Sequence, residues 1–307
     1  MSSSNAPIKL LKMIRVHIVV GGVLAFSLGA LLAIVGGGSF DPARFVLGYT
    51  TMLLGDLSAH YSNDYFDVEV DKYIEERKFF AGSAILVSNP NLRSLTRFIS
   101  TALLVSSNLL AVGLVVFLGA PIEFLIVILG ASLVGWFYSA PPLRLTSRGV
   151  GEVAVACVTG FAIPGLGYLA VRGQFDPLFV YLAFPFVMYG LILSLSLEAP
   201  DVEIDRKGGK RNLAVRKGAR SVFSLILALT VAATLTLFAY RWLVTSAAVD
   251  LGVVAMFSMV PLLAGLAGFV GVLQKRSVKL FSALNIASLF VFNALMVAYL
   301  LAMMLAM

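Results

Sequence analysis

Nine stretches of this sequence are apolar and long enough to cross a bilayer core of roughly 30 Å as helices. They lie near residues 18–38, 43–63, 97–118, 121–139, 150–171, 177–199, 221–242, 249–272 and 281–304. This one feature restricts the fold severely. Backbone polar groups in lipid need partners within their own segment, so each run must be a helix. No run alternates apolar and polar residues long enough to suggest a strand. The links between runs are too short to hold a separate soluble domain. Residues 1–307 are therefore expected to form a single, all-α, polytopic domain with about nine transmembrane helices in one bundle. Composition agrees: only 13% of residues are charged, against about 25% in soluble domains.

The basic residues orient that bundle. When the links are assigned alternately to two sides, all but Arg44, Arg172 and Arg241 of the 23 Lys and Arg residues fall on the side that carries the N-terminus. The positive-inside bias makes that side cytoplasmic and the C-terminus external. The net charge of +7 is thereby a topology signal and gives no reason to expect a nucleic-acid partner. The first run follows a basic stretch, but eight further spans and no clear cleavage site argue for a retained helix over a signal peptide. A single cysteine, Cys157, excludes an intramolecular disulfide, and two histidines argue against zinc or haem. Cys157 lies in an apolar run and reads as packing.

The sixteen acids are distributed unevenly. Asp41, Glu123, Asp176 and Asp250 stand near helix starts on the outer side and read as caps or surface groups. Glu152 opens the fifth helix, and Asp56 is alone inside the second. The others gather at two places on the cytoplasmic side: Asp64, Asp67, Glu69, Asp71, Glu75 and Glu76 after the second run, and Glu198, Asp201, Glu203 and Asp205 after the sixth. Spacings of three and four residues put Asp64, Asp67 and Asp71 on one helical face, and Asp201 and Asp205 on another. A lone carboxylate pair would read as a solvated helix end. Two clusters on one side near membrane depth, with no His or Cys beside them, instead offer hard oxygen ligands. Magnesium prefers one or two carboxylates plus waters and substrate phosphates, so the pattern points to a magnesium–diphosphate site. The flanking basic residues Arg77, Lys78, Arg144, Arg206, Lys207, Lys210 and Arg211 read mainly as positive-inside charges, although an Arg fork also matches a phosphate.

At these residues the chain resembles the UbiA superfamily of intramembrane prenyltransferases. Asn63-Asp64-x-x-Asp67-x-x-x-Asp71 is similar to the family's first Asp-rich motif. Asp201-x-x-x-Asp205, with the Gly208-to-Gly218 basic stretch behind it, is similar to the second. Tyr138-Ser-Ala-Pro-Pro-Leu-Arg144 resembles the end of the family's fourth helix, Arg148-Gly-Val-Gly-Glu152 the start of its fifth, and Arg15 the Arg that often precedes its first. The Arg148 and Gly208 segments look most like the menaquinone branch, which prenylates a naphthoquinone precursor. The chain departs from that branch at Leu197-Glu198-Ala199-Pro200, at Ala84 after Gly82-Ser83, and at Asp56 and His60, where amides are expected.

The resemblance implies a magnesium-dependent enzyme at the cytoplasmic face of the cell membrane. It would move an isoprenyl group from an allylic diphosphate to a lipophilic, quinone-type aromatic acceptor. It implies that Asp64, Asp67, Asp71, Asp201 and Asp205 form the catalytic, metal-holding set. Asn63, Arg15, Lys78, Arg144, Tyr138, Tyr65, Glu198 and Lys207 would bind substrate. Tyr61, Tyr65, Phe137 and Tyr138 could face an allylic cation, but each also fits ordinary packing. Asp56 could bind the acceptor, take its proton, or pair with His60 one turn on. Beyond substrates and membrane lipid, no obligate protein partner is evident. A geranylgeranyltransferase acting on a glycerol-phosphate ether is the alternative within the superfamily. A cation-coupled transporter would place its acids near the bilayer midplane. A CDP-alcohol phosphotransferase or a haem-type farnesyltransferase lacks its signature here.

Overall fold

A computed structural model describes residues 6–74, 82–243 and 249–307. Its described residues form helices and turns with no strand. Nine long helices run in chain order: α1 (Val16–Val35), α2 (Pro42–Phe66), α3 (Arg93–Leu118), α4 (Ile122–Ser139), α5 (Gly151–Arg172), α6 (Pro177–Glu198), α7 (Leu213–Leu243), α8 (Leu251–Leu273) and α9 (Val278–Ala306). Among the described residues, eight are both long and apolar enough to cross a membrane. The expected ninth, α2, has 25 residues and so spans roughly 37 Å. Its inward-facing Thr51, Ser58, His60, Ser62 and Asp64 are buried, and such residues lower its hydropathy. The chain is a multi-pass membrane protein.

Local chemistry sets several helix starts. Asp41 accepts hydrogen bonds from the amides of Ala43 (2.8 Å) and Arg44 (3.1 Å), ahead of Pro42 at the first helical position. Asp176 caps α6 through the Phe179 amide, and Asp250 caps α8 through that of Gly252. A side-chain acceptor there satisfies an amide that the helix cannot. Three of the four outer acids are thus caps, while Glu123 sits in the first turn of α4 without capping it.

Between helices, small and polar residues replace the hydrophobic drive that lipid removes. Ser58 and Ser100 exchange side chain-to-carbonyl bonds (2.8 and 3.1 Å), and Ser107 donates to Thr51 (2.7 Å), joining α2 to α3. At the α1–α5 crossing a Cβ on Gly29 would lie 1.8 Å from the Pro164 carbonyl oxygen, and one on Gly167 2.0 Å from that of Phe26. Only glycine permits that approach. α5 also contains a π-helical turn, Val158–Ala162, just before Pro164. Large apolar side chains such as Phe98, Leu109, Phe117 and Ile126 face outward, as a lipid solvent requires. Cys157 is exposed on that surface, contrary to the expectation that it packs inside.

Candidate functional site

Both acidic motifs lie at one end of the bundle, but neither is a continuous helical face as the spacing predicts. α2 stops at Phe66; Asp67 caps it and leads into a one-turn helix, Val68–Asp71. The second motif follows a 3-10 turn, Ala199–Asp201, that carries Pro200, whose ring cannot donate an amide; Asp205 then sits in the helix Val202–Lys207. These breaks fold the carboxylates inward. Asp64, Asp71 and Asp205 are buried, while Asp67 and Asp201 are half-buried.

The first cluster is crowded with like charge. Asp64 Oδ1 meets Arg15 Nη2 at 3.1 Å, and its Oδ2 accepts a short hydrogen bond from Ser83 Oγ. Ser83 arrives there because Ala84 takes a left-handed conformation (φ 51) and because Gly82 has no Cβ to strike the Asp71 carboxylate. Burial first, and then the neighbouring Asp64 and Asp67 charges, push Asp71 up to about 7, against the pull of Arg15 and Lys210.

The second cluster is better partnered. Asp205 accepts from Asn212 Nδ2 at 2.7 Å and meets Lys210 Nζ at 3.3 Å; the same ammonium lies 3.7 Å from Asp67. Lys210 is thus the bridge between the two motifs. Gly208 packs on Val70 and Gly209 turns at φ 75, returning the Lys210 amide to the Asp205 carbonyl at 2.9 Å. Burial opposes the Lys210 charge, but Asp67 and Asp205 outweigh it and hold its pKa above the ordinary value. Asn212 also caps α7 through the Val215 amide, beside Glu152, which accepts the Leu213 amide at 2.6 Å. From sequence, Lys210 reads mainly as one more positive-inside charge within the basic stretch behind the second motif; its place between the two motifs was not marked. Ser83, Asn212 and Glu152 stand in segments the resemblance picked out, but nothing there marked their partners.

The remaining expected residues separate. Asn63 and Tyr138 line a cavity of about 270 Å³ that opens from the acidic end into the bundle, and so does Arg15. Tyr138 has Glu198, Lys210 and Asp67 as charged neighbours. Glu198 is buried, takes a 3.4 Å contact from Ser194, and faces Glu152 and Asp205. Tyr65 points elsewhere: its ring lies under the guanidinium groups of Arg93 (5.1 Å) and Arg97 (5.9 Å) on α3. Tyr61 donates to the Leu10 carbonyl and packs with Met13 and Leu92. Arg144 and Lys207 are exposed and form no ion pair among the described residues. Lys78, with Glu75, Glu76 and Arg77, lies outside the described residues.

Much of the cavity wall is apolar, with Leu28, Val158, Ile163, Phe186 and Phe292; Asp56, His60, His17 and Tyr189 are titratable groups on its lining. Among the described residues no three Asp, Glu, His or Cys side chains gather as a ready-made metal cage. The donor set nevertheless fits magnesium. All nearby ligands are carboxylate oxygens, a buried ammonium already occupies a cationic position between Asp67 and Asp205, and the buried Asn63 Oδ1 has no partner. Magnesium keeps waters and takes phosphate oxygens to complete its shell, so a full protein cage is not required.

Residues 23–289 match the sequence model of the UbiA prenyltransferase family. No curated protein matches the chain. Several solved structures share its fold. A UbiA homologue from Archaeoglobus fulgidus, bound to DMAPP and Mg2+, is 16% identical and superposes with a TM-score of 0.74, over 97% of this chain and 100% of that one. A digeranylgeranylglyceryl phosphate synthase (16% identical, TM-score 0.64) covers 96% of this chain and 99% of its own. An apo UbiA homologue from Aeropyrum pernix K1 (13%, TM-score 0.67) covers 90% and 97%. At these identities the likeness establishes a common fold.

Proposed function

Because this chain belongs to the UbiA prenyltransferase family, we propose that it transfers an isoprenyl group from an allylic diphosphate, such as geranylgeranyl diphosphate, to a lipophilic, quinone-type aromatic acceptor. The reading places the reaction at the cytoplasmic face of the cell membrane, the side the basic residues mark. The observation that carries it is the meeting of two acidic motifs across Lys210, next to a largely apolar cavity whose lining includes Arg15, the ion-pair partner of Asp64. A diphosphate needs the first environment and an isoprenoid tail needs the second. The Archaeoglobus fulgidus homologue, solved with DMAPP and with GPP together with Mg2+, supports an allylic diphosphate with magnesium as the donor.

Asp64, Asp67, Asp71, Asp201 and Asp205 would hold magnesium, which when bound offsets the negative charge that develops on the leaving diphosphate. This chain's own groups do the rest. Asn63 lines the cavity, where its side-chain amide N–H can donate to the diphosphate end of the donor. Arg15 restrains Asp64 and presents the rest of its guanidinium to the cavity. Lys210 sets the distance between the motifs and keeps a positive charge beside the diphosphate oxygens. Tyr138 offers a ring face at the mouth for the electron-deficient allylic carbon. The apolar walls exclude water that would otherwise quench that carbon.

Replacing Asp64 or Asp201 with Ala is expected to abolish magnesium-dependent prenyl transfer while the melting temperature in detergent stays within a few degrees. Turnover assayed with labelled geranylgeranyl diphosphate and a panel of naphthols, quinones, hydroxybenzoates and a glycerol-phosphate ether tests this. Unchanged turnover in the variants would overturn the site assignment, and transfer confined to the ether would overturn the aromatic acceptor.

A further inference from the structure

The chain has two histidines in 307 residues, and both line the same cavity together with Asp56. Asp56 and His60 are one turn apart on α2. Asp56 stands eight residues before Asp64, roughly 12 Å along the helix axis, well inside the bundle.

Their hydrogen bonds are incomplete in a specific way. The backbone N–H of Arg15 donates to His60 Nδ1 at 3.0 Å. That nitrogen is therefore the acceptor of a neutral imidazole, and the ring proton is on Nε2. His60 Nε2 lies 3.7 Å from Asp56 Oδ1, beyond hydrogen-bond range. Nε2 and Asp56 Oδ2 are both buried and without a partner. The result is one unsatisfied donor beside one unsatisfied acceptor on the wall of an apolar cavity. Native proteins rarely leave buried polar groups in that condition, because each forfeits its interaction with water.

A donor next to an acceptor is the complement of a hydroxyl, which gives its proton to a carboxylate and accepts one from an imidazole N–H. It is a poor complement for an anion, because the Asp56 carboxylate repels a carboxylate or phosphate. Small residues around the pair, Gly21, Gly22, Ala25, Ala59 and Gly135, leave room for a flat ring. A Cβ at Gly22 would already come within 3.8 Å of Asp56 Oδ2. We propose that Asp56 and His60 form the subsite that recognises an un-ionised hydroxyl group on the acceptor, positioning its ring between them and the diphosphate end of the cavity. This deepens the prenyl-transfer reading and rests on it for the word acceptor. Both side chains are positioning residues here, since nothing places them on the reacting carbon.

The test compares binding of a hydroxynaphthalene and of its O-methyl ether to the full chain in detergent, by quenching of probe fluorescence. Magnesium-dependent binding of geranylgeranyl diphosphate is measured alongside. The wild-type protein is expected to bind the hydroxyl compound at least about tenfold more tightly than the ether. Asp56→Leu should remove that preference while donor binding changes less than about twofold. Equal affinities in the wild-type protein, as a water-filled subsite would give, overturn the proposal even if the variant does not fold. So does a preference that survives in Asp56→Leu. The two readings fail differently. Prenyl transfer that ignores the hydroxyl overturns the subsite and spares the enzyme. Hydroxyl-dependent binding with no transfer to any acceptor supports the subsite and overturns the enzyme.

Discussion

The two acidic motifs occupy the same end of the bundle, yet they are in different electrostatic states. The second is locally satisfied: Asp205 has Asn212 and Lys210, and the loop that carries them is tied to the start of α7 by Glu152. The first holds three carboxylates close together, with Arg15 and Ser83 on Asp64, a share of Lys210 on Asp67, and an Asp71 whose proton is retained to about pH 7. On the proposed reading, the first motif is the one that an added cation would complete. The second, with Asp205 already fixed by Asn212 and Lys210, would present its carboxylates to that cation from a set position.

The largest expected effect follows directly. Asp67→Asn should lower kcat by at least about a thousandfold, because it removes a charge at the unsatisfied motif. Asp205→Asn, whose position keeps Asn212 and Lys210 as neighbours, should cost about tenfold less. Single-turnover assays at saturating magnesium measure both. A loss at Asp205 equal to that at Asp67 would break the comparison.

Lys210→Met removes the charge that links the motifs and leaves two carboxylates facing one another. Breaking a buried pair in this way is expected to cost about 3 kcal/mol of stability, read as a lower melting temperature in metal-free protein. Magnesium should restore most of it by filling the cationic position. If magnesium restores nothing, the ammonium does not mark a metal position.

The smallest effect concerns pH. Asp71 is raised from 3.8 to about 7, so between those values the folded chain holds a proton that the unfolded chain has lost. Its contribution to stability is therefore present below pH 3.8 and is lost as pH rises through 7. Magnesium competes with the same proton, so its affinity should fall by up to about tenfold per pH unit below 7. Isothermal titration at pH 6 and 8 sharpens the comparison. Asp71→Asn should flatten the dependence, and an unflattened profile would assign it to another group.

Much of the molecule was legible in its sequence, for reasons that can be named. Hydropathy located the long helices because lipid admits no other backbone solution. Asp41, Asp176 and Asp250 read as caps because capping needs partners only two or three residues away. The acidic clusters stood out because charge is rare in such a chain. Their expected helical faces were interrupted at Asp67 and at Pro200, where short turns replaced a continuous helix.

The sequence by itself determined which segments form the long helices and that two sets of carboxylates gather at their ends, since hydrophobicity and charge belong to each residue wherever it lies. Only the tertiary structure decided which side chains meet. It set Lys210 between Asp67 and Asp205 and brought Ser83 to Asp64. It stacked Tyr65 under Arg93 and Arg97, away from the cavity that Tyr138 lines. It also left Asp56 and His60 facing apolar space with bonds unmade. Each of these is a contact between residues separated in the chain, or a bond withheld by packing, and periodicity along one helix has no term for either.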